Sequence, residues 1–319
     1  MDAAAIPTRG EIAAAHDRIR PHVRRTPILR LEAGALGPDL PLVLKLEHLQ
    51  ATGSFKLRGA FENLLSREVP EAGVVAFSGG NHGAAVAWAA TALGHPSTVY
   101  VPAAIAVPEK LARMRAYGAE VVVAEGTVAE VMAQYLAHAE RTGALAVHPY
   151  DSAPTLRGQG TVAREIAEEA ELDTLLVATG GGGLIGGVAA WHGGRVRVVS
   201  VETEGTATLA RTLREGPGVT IRPSGIAAGA LGGPSLGTLP GAVVAAHVET
   251  ACVVPDEAVR RAGRRLWEAA RLVVEPAAAA PLAALRTGAY RPAPGERVGL
   301  LLCGGNAAPN WMLAGDEAA

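Results

Sequence analysis

Three short segments carry residue types that together could hold an anionic cofactor and move a proton. The first, Thr179-Gly180-Gly181-Gly182-Gly183-Leu184-Ile185-Gly186-Gly187, joins one apolar stretch to another. Free backbone N–H groups at a helix start, backed by the helix dipole, form a cradle for a phosphate. A flexible turn is the plain alternative, but four successive glycines lose more backbone entropy on ordering than a turn requires. A dinucleotide site also competes for this loop. Glu202 follows at about the spacing of a ribose-binding acid, although the loop lies mid-chain and lacks the Lys-Ser/Thr pair of a P-loop. The second segment, Ser78-Gly79-Gly80-Asn81-His82, offers a hydroxyl, backbone donors, a carboxamide and an imidazole ahead of a helix, a setting that stabilises a carboxylate. Simple capping of that helix by Ser78 or Asn81 would use the same residues. The third, Gly53-Ser54-Phe55-Lys56-Leu57-Arg58-Gly59-Ala60, brackets a lysine with small residues and one aromatic. Lysine is ordinarily a solvated surface charge. Withdrawn from water it becomes a base and a nucleophile.

The elements that must position these segments follow an alternating rhythm. Short β-branched runs expected as strands (Val74 to Phe77, Thr98 to Val101, Glu120 to Ala124) alternate with helices expected from Gly83 to Leu93, Glu109 to Tyr117 and Val128 to Arg141. After Pro149-Tyr150-Asp151 come a helix, Thr155 to Glu169, and strands at Thr174 to Ala178, Val196 to Val201 and Val298 to Leu302. This is the pattern of parallel strands joined by crossover helices, hence an α/β class. Ligands in such sheets sit at the carboxyl ends of the strands, and the loops just after strands have that address.

Composition excludes several functions. The chain has 319 residues, enough for two packed lobes or one large domain. Its formal charge is −2 with Lys and Arg scattered, so no basic face for nucleic acid is expected. No apolar run reaches the roughly 18–20 residues of a membrane span, and the N-terminal stretch reads as neither signal nor anchor. The two cysteines, Cys252 and Cys303, make neither a disulfide framework nor a metal cluster, which fits a reducing, cytoplasmic setting.

Taken in order, the segments match a known family. The carriers are Leu46 to Ala60, Ser78-Gly79-Gly80-Asn81-His82-Gly83, Ala116-Tyr117-Gly118-Ala119-Glu120 and His148-Pro149-Tyr150-Asp151. They continue through Gly158-Gln159-Gly160-Thr161, the glycine loop, Val274-Glu275-Pro276 and Cys303-Gly304-Gly305-Asn306. Over nearly its whole length the chain resembles the fold-type II (tryptophan synthase beta-like) pyridoxal 5'-phosphate (PLP) enzymes, and within them the serine/threonine dehydratases, or ammonia-lyases, and the serine racemases. The resemblance implies two three-layer αβα lobes with mostly parallel sheets. A large cofactor-binding lobe would comprise 1–68 and 149–319, and a small inserted lobe 69–148, with PLP between them. It implies a homodimer, and closure of the small lobe over a small amino-acid substrate to exclude water.

Site roles follow from the resemblance position by position. Lys56 carries the cofactor as a Schiff base and Phe55 packs on the ring. Asn81 bonds the ring hydroxyl, and Gly180, Gly181, Gly182, Gly183 and Leu184 hold the phosphate. Ser78, Gly79, Asn81 and His82 surround the substrate carboxylate, and Gly229 lies near the reacting centre. Cys303 faces the pyridine nitrogen, with Glu275 close to that ring edge; an inert buried thiol is the plain alternative for Cys303, and its place before Gly304-Gly305-Asn306 favours the cofactor role. Cys252 reads as core. The implied chemistry is removal of the Cα proton by the freed Lys56 amine, with the cofactor taking up the electrons. A thiol at the pyridine nitrogen favours expulsion of a β-hydroxyl, giving an aminoacrylate that hydrolyses to a 2-oxo acid and ammonia: pyruvate from serine, 2-oxobutyrate from threonine.

Three departures sharpen the choice. Gly79 stands where racemases carry a second serine, which disfavours racemisation. The Asp expected six residues after Glu202 is Thr208, so no divalent metal is expected. Ser224-Gly225-Ile226-Ala227-Ala228-Gly229-Ala230-Leu231-Gly232-Gly233 resembles the dehydratase segment but lacks the acidic residue common there, which leaves room for a bulkier β-hydroxy amino acid than threonine. A β-replacement synthase using the same aminoacrylate, and a non-catalytic phosphate- or nucleotide-binding protein, remain as alternatives.

Overall fold

The computed structural model describes residues 6–313. Two sheets organise them. The larger contains β1 (Ile28–Leu31), β2 (Leu42–Lys45), β7 (Thr174–Ala178), β8 (Arg197–Thr203), β9 (Thr250–Val254) and β10 (Val298–Leu301), in the order β1-β2-β10-β7-β8-β9. The smaller contains β3 (Val74–Phe77), β4 (Ser97–Pro102), β5 (Glu120–Ala124) and β6 (Leu145–Val147), ordered β5-β4-β3-β6. Every strand pairing is parallel except β1 with β2. The helices are α1 (Arg9–Ile19), α2 (Lys56–Leu65), α3 (Asn81–Ala92), α4 (Pro108–Ala116), α5 (Val128–Thr142) and α6 (Ala153–Glu169). They continue as α7 (Gly183–His192), α8 (Thr208–Glu215), α9 (Ala228–Leu231), α10 (Thr238–His247), α11 (Asp256–Ala270) and α12 (Pro276–Thr287).

Local chemistry explains the boundaries. β7 and β10 read as unbroken apolar runs because every one of their residues is buried, as central parallel strands covered on both faces require. Thr127 caps α5 in a reciprocal box with Glu130, and Gly143 ends it in the left-handed conformation. α3 begins at Asn81, two residues before the expected Gly83, and neither Ser78 nor Asn81 caps it. Ser78 Oγ instead accepts from the Gly80 N–H at 3.1 Å, a local turn bond.

The large sheet draws on both ends of the chain and the small sheet only on its middle. A large core surrounds the first and a second core surrounds the other. Leu57, Ala60, Phe61 and Leu64 of α2 belong to the second core, so the helix that starts with Lys56 packs with the elements of the smaller sheet. Its other side is pinned by charge. Arg58, fully buried, donates to Glu47 (2.8 and 2.7 Å) and to Glu165 of α6 (2.7 and 2.8 Å), and Lys45 reaches the same Glu165 at 2.7 Å.

Candidate active site

Adjacent strands deliver the functional loops to one place. β2, β10 and β7 lie side by side in parallel, and their carboxyl ends run into the segment leading to Lys56, into Cys303, and into the glycine loop. These are distant in sequence and neighbours only because of strand order. The segment before Lys56 is stitched to the β10 loop: Phe55 N donates to Cys303 O at 3.1 Å, Gly305 N to Gly53 O at 2.9 Å, and Ser54 bridges Gly304. From the smaller sheet, the carboxyl end of β3 contributes Ser78 to His82.

Lys56 is the first residue of α2, and its Nζ donates to Pro149 O at 2.8 Å. The Phe55 ring centroid lies 5.1 Å from the amine. Burial disfavours the ammonium and lowers its pKa to about 8, against the pull of the Cys303 and Glu275 sides. The chain's other two lysines differ: Lys45 is locked to Glu165 and to Thr26 O, and Lys110 sits on α4 in a small pocket with Gly80, Asn81, Ala84, Arg113 and Asn306. Cys303 is buried, and desolvation followed by the nearby Glu275 carboxylate raises its thiol, which is therefore neutral. Glu275 is buried too, and burial raises its carboxyl. Both its oxygens accept from Asn81 Nδ2, at 3.1 and 3.0 Å.

In the glycine loop, Gly182 has φ +92° and a Cβ there would strike Pro240 at 2.7 Å, which explains glycine at that position. Gly182 N-caps α7 without any side-chain cap. Among the described residues no acceptor is paired with the N–H groups of Gly180 to Leu184. A helix start with uncapped donors fits a phosphate, and a thiol, a carboxylate and a lysine beside it fit a pyridine ring with an aldehyde. PLP suits this donor set.

The remaining expected residues are placed less centrally. His82 is buried behind its loop with Nε2 3.0 Å from Val147 O, and burial followed by repulsion from Lys56 lowers it to about 3, so the ring is neutral. Gly79 faces Ile105: a Cβ there would lie 3.0 Å from Ile105 Cδ1. Gly229 lies across the cleft mouth, where its carbonyl is 3.5 Å from a Cβ built on Gly80 and its own Cβ would be 3.5 Å from Lys110 Nζ. Glu202 is fully buried, and its oxygens accept from Leu209 N (2.7 Å) and Ala210 N (2.8 Å) at the start of α8. That carboxylate is therefore spent on a helix and cannot serve the ribose that the dinucleotide reading required.

Sequence reasoning assigned no role to three residues that shape the site. Pro149 holds the lysine amine through its carbonyl. Tyr150 lies under the glycine loop, its ring carbons 2.5 Å from a Cβ built on Gly181. Asn306 donates to Asn81 Oδ1 at 2.9 Å. All three stood inside recognised blocks, which is the signal that could have marked them.

Comparison with known proteins agrees with this geometry. The family model described as pyridoxal-phosphate dependent enzyme matches residues 19–304, and the chain belongs to that family. It is 36% identical to the phenylserine dehydratase of Ralstonia pickettii over 96% of this chain and 95% of that one. It is 34% identical to a serine racemase of Arabidopsis thaliana over 92% of each. The solved structure of a threonine deaminase from T.th. superposes with a TM-score of 0.87 at 37% identity, covering 95% of this chain and 99% of that one. The fold is that of the fold-type II PLP enzymes, with PLP as cofactor, as the resemblance implied. No helix among the described residues is long and apolar enough to cross a membrane.

Proposed function

We propose that this protein is a PLP-dependent dehydratase of the ammonia-lyase type, which removes water from L-threonine, L-serine or a related β-hydroxy amino acid. The observation that carries this reading is the buried Lys56 amine, held by the Pro149 carbonyl at 2.8 Å, near Cys303 and Glu275, and lowered to about 8. Dehydratases that act on hydroxy amino acids stand among its relatives, and Gly79 removes the second serine that racemisation would use.

When bound, PLP supplies an electron sink for the substrate's Cα. The chain's own residues do the rest. The N–H groups of Gly180 to Leu184 hold the phosphate, Phe55 packs on the ring, Asn81 bonds the ring hydroxyl, and Gly229 lines the cleft. Cys303, kept as a thiol, offers the ring nitrogen only a weak partner, with Glu275 at the same edge. Ser78, Gly79, Asn81 and His82 orient the substrate carboxylate through hydroxyl, amide and backbone donors. Lys56, as free amine, takes the Cα proton. The β-hydroxyl leaves with a proton as water, and the released enamine takes up water to give a 2-oxo acid and ammonia. The large lobe, 1–68 and 149–319, binds the cofactor and the small lobe, 69–148, closes on the substrate. A cytoplasmic homodimer completes the reading, in keeping with two unpaired cysteines and the habit of the family.

The test is to incubate the PLP-loaded protein with L-threonine, L-serine and L-threo-3-hydroxy amino acids and to measure 2-oxo acid. Release of equal amounts of oxo acid and ammonia is expected. Exchange of the Cα proton without oxo acid would favour a racemase. Amino-acid product only when a thiol or amine is added would favour a synthase.

A further inference from the structure

We propose that Asn306 is a positioning residue that sets which way round the Asn81 carboxamide stands, and so which of its atoms faces the cofactor; this rests on the assignment of Asn81 to the ring hydroxyl. The two ends of an amide side chain have nearly the same shape and are told apart by their hydrogen-bond partners. Here one partner is fixed by the backbone. Thr52 O can only accept, so it requires the NH₂ of Asn306, which lies 2.8 Å away. The same nitrogen donates to Asn81 at 2.9 Å, so Asn81 must present its oxygen there. Its NH₂ then turns to the Glu275 carboxyl, at 3.1 and 3.0 Å. The order runs in one direction, from a carbonyl through two amides to a buried carboxyl, and reversing either amide sets acceptor against acceptor.

The anchor is firmly built. The Asn306 oxygen stands over Gly53, where a Cβ would fall 2.3 Å from it, and Gly53 itself has φ +74°. Glu275 N donates to Gly304 O at 3.0 Å, and a Cβ on Gly304 would meet Glu275 Oε1 at 2.2 Å, so the acceptor end is equally confined. Asn306 thereby ties three segments together: the loop that feeds Lys56, the loop after β10, and the first residue of α3 in the small lobe. An amide turned correctly can donate to a ring oxygen, whereas one turned over offers that oxygen a second acceptor.

Asn306→Asp exchanges the donor for an acceptor and leaves both Thr52 O and Asn81 Oδ1 facing oxygen. Asn306→Ala removes the constraint without inverting it. The apoproteins of both variants, of Asn81→Ala and of the Asn81→Ala/Asn306→Asp pair are titrated with PLP by visible absorbance, and their apo melting temperatures recorded. Asn306→Asp is expected to weaken cofactor binding about ten-fold, the scale of one lost hydrogen bond, and to shift the visible band in the same sense as Asn81→Ala. Because Asn306 acts through Asn81, the double variant should bind PLP no more weakly than Asn81→Ala alone. Additive losses in the double variant would overturn the positioning role while leaving Asn81 at the ring. So would an Asn306→Asp variant with wild-type affinity and band, or one whose only change is a lower apo melting temperature. If Asn81→Ala itself binds PLP like the wild type, both the Asn81 assignment and this proposal fall.

Discussion

Lys56 titrates low because its charge is held away from water, and Cys303 and Glu275 only partly offset that burial. The free amine is the form that attacks an aldehyde, so its fraction grows through pH 8 instead of near the ordinary lysine value of about 10.4. The rate of PLP incorporation into the apoprotein should therefore rise with pH and level off above a midpoint near 8, followed as growth of the visible band; a rise that continues to pH 10 would contradict the lowered value. Lys56 was legible only in context: its octapeptide alone reads as an ordinary surface lysine, and the matched blocks in their order marked it out. His82 was legible as a block member, but not its orientation: the contact with Val147 joins α3 to the end of β6, and no spacing along the chain encodes it. Tyr150 and Asn306 escaped for the same reason, since each acts on a residue from a distant segment.

At the scale of elements, α2 is held from both sides, by apolar contacts with the core of the smaller sheet and by the buried Arg58–Glu47–Glu165–Lys45 group. Removing one member leaves uncompensated charge in a dry site. Glu165→Gln should cost about 3–5 kcal/mol, whereas Arg25→Ala, which breaks half-exposed pairs with Glu168 and Glu169, should cost at most about 1 kcal/mol. Denaturant midpoints compare the two, and equal losses would mean that the buried group does not anchor α2. Six of the strands were readable as apolar runs, and they lie where the structure has them, to within about two residues at each end. β1, β2, β6 and β9 were not expected: β1 pairs antiparallel, outside the alternating rhythm, and β6 has only three residues, too few to show a period.

At the scale of the molecule, strand order does the assembling. β10, formed near the end of the chain, inserts between β2 and β7, so Cys303 arrives between the lysine segment and the glycine loop. That insertion could not be seen from the alternation of elements; the family resemblance placed Cys303 at the cofactor without giving the strand order that brings it there. The chain leaves the smaller sheet through residues 148–151, where His148 Nδ1 accepts from Asp151 N at 2.7 Å and the Asp151 carboxylate accepts from Thr238 N and Leu239 N, both at 2.9 Å. The same short connection carries Pro149 to the lysine and Tyr150 to the glycine loop, so one segment touches both.

With only three lysines in the chain, the attachment point can be decided outright. The PLP-loaded protein is reduced with borohydride, digested, and its peptides weighed. The pyridoxyl mass should appear on the peptide containing Lys56 and be absent from a Lys56→Ala protein treated identically; the label on Lys45 or Lys110, or its persistence in the variant, would contradict the site described here.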